Sequence, residues 1–247
     1  MSMFRTGNPS LKGTTFVGAA SRAEGVMTLQ GTVNKTGIAL LILVASAALA
    51  WSHVLGVGMI LPTLWTGLIG GLILSLVTVF KTEWAPVTTP LYAVFEGLFI
   101  GTISLLFNVR YPGIAFNAAA LTLAILAALL LAYRSGWIHP SENVKLGIAA
   151  ATGGIALVYL VSMGLSLFGK SIPLIHGSGP IGIAFSLFVV ALASANMVLD
   201  FDFIEQGAAK RAPKYMEWYG AFALLVTLVW LYLEILRLLA KLQDRRR

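Results

Sequence analysis

The 247 residues include no cysteine, which excludes disulfides, thiol catalysis and cysteine-bound metals together and leaves the redox compartment unmarked. Charge is scarce too. Asp, Glu, Lys and Arg make up 11% of the chain, less than half of the roughly 25% usual for a soluble domain. Catalytic groupings are also missing: His53, His139 and His176 stand at three separate loops or span ends, and none is spaced with a second histidine or an acid as a zinc protease motif requires. No serine has a base beside it, and no phosphate-cradling loop, dinucleotide fingerprint or internal repeat appears.

Apolar residues are abundant, at 58%. They form continuous runs near the length of about 20 that a helix needs to cross the hydrocarbon core, where a barrel would alternate over about ten residues. The reading is an all-α membrane protein, with seven transmembrane spans at about 37–53, 57–80, 90–107, 113–133, 146–168, 180–201 and 216–239. They form one domain over 35–241, between a flexible polar arm at 1–34 and a basic tail at 242–247. Lys35 and the run closing on Ala48-Leu49-Ala50 imitate a signal peptide, but the arm is too long for its charged start, so the first run is read as an uncleaved span. Only Pro62 falls within a span; the other prolines bearing on the spans sit in loops or at helix starts.

A net charge of +7 would suggest nucleic acid in a soluble protein, but here the cations set orientation, and a nucleic-acid partner is discounted. Lys81, Arg134, Lys145, Lys210, Arg211 and Lys214 occupy the short loops on the side of the N-terminus, against Arg110 and Lys170 on the other. The excess places the N-terminus in the cytoplasm, although the basic C-terminal end opposes it. The partners implied at this point are the bilayer and whatever crosses or docks in it. Gly67 and Gly71, and Gly97 and Gly101, have the small-xxx-small spacing that lets helix backbones approach closely. Trp51, Trp65, Trp84, Trp137 and Trp218 lie near span ends or in loops and suit an interfacial belt.

Few ionisable residues fall within the spans, and each is costly there. Glu96 lies about 9 Å into the third span at a rise of about 1.5 Å per residue. Left unpaired, it would cost roughly 3 kcal/mol or more, so it is expected in the polar interior. Asp200 stands one turn beyond Asn196, about 40° round the helix, so the two are expected to share a polar face. Asp202 points some 200° away from Asp200 and is expected beside Glu205 at the water boundary. Glu234 and Arg237 have the i, i+3 spacing of a local ion pair. The competing reading of each acid is structural: a solvated helix cap for Asp200 and Asp202, a hydrogen bond or ion pair for Glu96 and Glu234.

The stretch VLDFDFIEQ closing one helix, a short charged hairpin, and then LLVTLVWLYLEILRLL resemble the end of the Bax inhibitor-1 superfamily. GNPSL and MTLQGTVNKTG before the first span are similar to a bacterial branch of it. The resemblance implies a seven-helix bundle with the last helix central, in a bacterial inner membrane, and a pH-sensitive calcium leak governed by two facing aspartates. Asp200 matches the first of these. Aligned on the final leucine-arginine stretch, the second falls at Thr227, which is not an acid, and Lys81 sits near the family's basic partner to the first aspartate. Glu234, one heptad on from Thr227, or Glu96 could supply the missing acid.

The expected function is therefore a passive, pH-modulated cation leak without a cofactor, with calcium as the permeant ion. Asp200 is its gate and Glu96 lines its path, both oxygen sites suited to transient contact with a hard cation; no fixed metal site is expected. The alternative is a non-transporting membrane regulator that binds a membrane protease or another membrane partner. A coupled transporter stands third, and an intramembrane enzyme last for want of a nucleophile with a base.

Overall fold

The computed structural model describes residues 25–57, 59–138, 140–169 and 177–246. The expectations for residues 1–24, His139, Lys170, Pro173, His176 and Arg247 lie outside the described residues. Among those described, seven helices are long and apolar enough to cross a membrane. They are α1 (Leu29–Val57), α2 (Ile60–Phe80), α3 (Ala85–Arg110), α4 (Ile114–Arg134), α5 (Glu142–Leu167), α6 (Pro180–Ala209) and α7 (Met216–Arg246), with a short 3-10 turn at Thr82–Trp84. The chain is an integral membrane protein built as a seven-helix bundle.

Four of the boundaries that differ from the sequence reading do so for a local reason. Helix α1 begins inside the expected arm, because Thr28 caps it by accepting the Gly31 N–H at 3.0 Å. Lys35, expected to mark the arm's end, is drawn into the helix by an ion pair with Glu217. Helix α3 begins at Ala85, so Pro90, expected as its start, lies within it and Pro86 takes the first turn, where a missing N–H costs nothing. Helix α6 runs eight residues past 201 because its acids find partners there: Lys145 pairs with Asp202 at 2.7 Å and the Tyr133 hydroxyl donates to Glu205. It ends with Arg211 in the left-handed region at φ 54. The tail is not a separate segment, since α7 continues to Arg246 and Asp244 accepts bonds from Tyr111 and Arg110.

Helix α7 occupies the centre, packing against α1, α3, α4 and α6. Leu225 and Leu231 are fully buried along it, and Leu236 almost so. Helices α1 and α2 close on α3 through the glycine pairs. A Cβ on Gly67 would fall 2.5 Å from Phe99 N, and one on Gly101 would fall 2.3 Å from the Ala47 carbonyl oxygen. In lipid, where burial gives little drive between helices, such contact supplies much of the cohesion. Helix α5 is held differently: it packs chiefly on α6, and much of its length faces outward.

Candidate functional site: a polar seam between α6 and α7

Helices α6 and α7 run antiparallel, and each carries a heptad row toward the other. On α6 the row is Ser186, Ala193 and Asp200; on α7 it is Thr227, Glu234 and Lys241. Contacts at the two ends fix the register. The Thr227 hydroxyl is the hydrogen-bonding neighbour of the Asp200 side chain, and Lys241 Nζ donates to Ser186 Oγ at 2.8 Å and to the Gly182 carbonyl at 2.9 Å. Ala193, fully buried, is therefore the residue opposite Glu234. The small side chain leaves room for a carboxyl in the middle of the seam.

The charges along this seam differ in how they are satisfied. Glu234 is 1% exposed, accepts from Tyr159 OH at 2.8 Å and is paired with Arg237 at 2.8 Å. Lys241, 4% exposed, is held by the oxygens of α6. Asp200 is the exception. Among the described residues its Oδ2 is buried with no hydrogen-bond partner, a condition that costs about 1–3 kcal/mol for a polar group and more for a charged one.

The remaining candidates are distributed as follows. Asn196, one turn before Asp200 on α6, turns its Nδ2 to α5 and donates to Thr152 Oγ1 at 2.7 Å, and to the Leu192 carbonyl at 2.9 Å. Asp202 is bonded to Lys145 and Gln206, both at 2.7 Å, and lies with Glu205 near the Tyr133 hydroxyl. Lys81 is the exposed residue after α2, and no contact joins it to Asp200. Glu96 lies on the α2–α3 side, with Tyr92 as its hydrogen-bond partner and Gly71 so close that a Cβ there would sit 2.8 Å from Glu96 Oε2. Glu96 and Asp200 thus have separate partners. Among the described residues no group of three or more acids or histidines could hold a metal ion. A cavity of about 470 Å³ opens between α1, α3, α4 and α7, lined by Leu43, Ala47, Trp51, Phe116 and Tyr232 among others, and neither Asp200 nor Glu96 reaches it.

The family model described as Bax inhibitor 1 like matches residues 8–244, almost the whole chain. The chain belongs to the Bax inhibitor-1 superfamily. No curated protein and no solved structure matches it. Membership gives the seam its context: this is a family of membrane proteins associated with ion leak, and the residue facing Asp200 in this member is a threonine.

Three groups escaped the sequence reading. Glu217, fully buried, accepts from the Thr28 N–H and Oγ at 2.9 Å each and pairs with Lys35 and with Lys214, the latter at 2.7 Å. Its carboxyl fits only because residue 31 is glycine, where a Cβ would meet Oε1 at 2.2 Å. Lys145, Thr152 and Tyr159 of α5 each bond to the α6–α7 pair. Their heptad spacing is legible in the sequence, but their partners depend on a tertiary register that it does not display. Lys241 is legible as a heptad successor of Thr227 and Glu234, yet reads as a tail charge until α7 is seen to continue.

Proposed function

We propose that the chain is a passive, pH-modulated cation leak, with calcium as the permeant ion and Asp200 as the gate. The observation that carries the reading is the buried, unpartnered Oδ2 of Asp200 beside Thr227. Other acids near the bundle's polar contacts have cationic partners: Asp202 has Lys145, Glu217 has Lys35, Glu234 has Arg237 and Asp244 has Arg110. Asp200 is left able to exchange a proton for a cation. Ionised, it offers a hard oxygen to calcium; neutral, it attracts none, so leak rises with pH. Glu96 is an interior carboxyl on the α2–α3 side of the path, and the N-terminus faces the cytoplasm.

The second reading, a non-transporting regulator that binds a membrane partner such as a protease, is favoured by two facts. The pairs Lys35–Glu217, Lys145–Asp202 and Arg110–Asp244 lock helices together, and the cavity between α1 and α4 is lined mostly by apolar side chains. Calcium entry into liposomes holding only this protein separates the two. Entry that rises with pH supports the leak, and no entry above empty liposomes at any pH supports the regulator.

A further inference from the structure

Helix α5 is attached to the bundle unlike its neighbours. Its close packing is confined to a small cluster in which Ile155 meets Val189 and Leu192, with Tyr159 and Trp230 at the edge. Leu146, Leu157, Leu160 and Val161 point outward, and a Cβ on Gly147, Gly153 or Gly154 would meet nothing within 4 Å. The backbone-tight glycine contacts that hold α1 and α2 to α3 have no counterpart on α5.

Three side chains, one per heptad, hold it instead, the last of them also accepting from Arg237 at 2.8 Å. Lys145 bonds Asp202 and Thr152 accepts from Asn196, at 2.7 Å each, and Tyr159 OH donates to Glu234 at 2.8 Å. The row faces the seam. Tyr159 touches Glu234 directly, and Asp200 lies one turn beyond Asn196, about 40° round α6.

What distinguishes these contacts is that the partners on α6 and α7 each keep a second bond on their own helix. Asp202 retains Gln206 at 2.7 Å, Asn196 retains the Leu192 carbonyl at 2.9 Å, and Glu234 retains Arg237 at 2.8 Å. Lys145 likewise retains Glu142 at 2.9 Å. Moving α5 away therefore strands no bare acid. In lipid, apolar burial adds little to helix association, so a helix with slack packing and replaceable bonds is the one free to leave.

We propose that α5 is a detachable cover, whose displacement opens the seam holding Asp200 and Glu234 to water. This deepens the leak reading and rests on it for its purpose, since Asp200 Oδ2 is buried in the closed seam.

The absence of cysteine permits a direct test with the full chain in liposomes. Spin labels at Leu157→Cys on α5 and Leu72→Cys on α2, both outward-facing, report the distance between the helices. Thr152→Val and Tyr159→Phe each remove one α5 side chain's polar contacts, the latter with both Glu234 and Arg237, and loss of an interhelical contact in a membrane changes a population by about threefold on average. The double variant is therefore expected to raise a displaced population by about tenfold if the two act independently. Ser46→Ala, which removes an α1–α3 bond of 2.6 Å to the Val94 carbonyl, is expected to leave the distribution unchanged. In parallel, Ala193→Cys on the seam should react with a charged methanethiosulfonate faster by a similar factor when both contacts are removed. An unchanged distance distribution in the double variant overturns the proposal, as does an equal response to Ser46→Ala or an unreactive Ala193→Cys. Calcium flux measured on the same vesicles keeps the two readings apart. Displacement with seam labelling but no flux leaves the cover standing and removes the leak.

Discussion

Replacing Thr227 with aspartate puts a second carboxyl at the hydrogen-bonding neighbour of Asp200. Two unit charges about 4 Å apart, at an effective dielectric constant of about 20, repel by about 4 kcal/mol. At about 1.4 kcal/mol per pH unit, that corresponds to as much as about three units. Two carboxyls at that separation share a proton and titrate as a pair rather than singly. The expected result for Thr227→Asp is a calcium-flux midpoint displaced to higher pH, by more than about one unit after solvent and side-chain relaxation take their share. Adding Asp200→Asn should cancel the displacement, because the repulsion needs both charges. The assay is flux into liposomes across a pH series for the four members of the double-mutant cycle, whose coupling isolates the pairwise effect. Additive effects of the two changes would refute the reasoning, since they would mean that positions 200 and 227 do not meet.

Three further predictions follow from single contacts. Glu96→Gln should leave the fold intact and lower calcium flux, while Glu96→Leu should lower thermal stability in detergent by about 1–3 kcal/mol by leaving the buried Tyr92 hydroxyl without its acceptor; equal stability of the two variants would contradict this. Glu217→Ala should cost about 3–5 kcal/mol by removing the one acid that neutralises Lys35 and Lys214, and Gly31→Ala should imitate it in part by pushing the carboxyl off its site. Chemical denaturation of the variants checks both. Gly101→Val should separate α1 from α3, because its side chain would meet the Ala47 backbone, with a cost of about 1–3 kcal/mol or more; a wild-type melting temperature would count against the packing account.

The number of helices and the glycine contacts were legible because each rests on a local pattern: a long apolar run, or two glycines four residues apart. Helix ends were less so. The start of α1 depends on Thr28 finding Glu217, a residue 189 positions away, and the far end of α6 depends on Lys145 reaching Asp202. Without those partners, charged residues read as water-facing boundaries. The site divided in the same way. Asp200 stood out as an acid in apolar sequence, and the resemblance pointed to Thr227, which the fold places beside it. Asn196 was legible as a polar neighbour, but its side chain turns toward Thr152, a choice made by where α5 packs. Lys81, assigned by resemblance alone, stays exposed after α2 and does not meet Asp200.

Whether Asp200 gates a calcium leak is read most directly from the pH profile of calcium entry into liposomes for the wild-type chain against Asp200→Asn, with matched protein content and a folded control spectrum for each. Entry that rises with pH in the wild type and a flattened profile in the variant are expected. A variant whose profile follows the wild type across the whole series would contradict the gate and reduce Asp200 to a structural residue of α6.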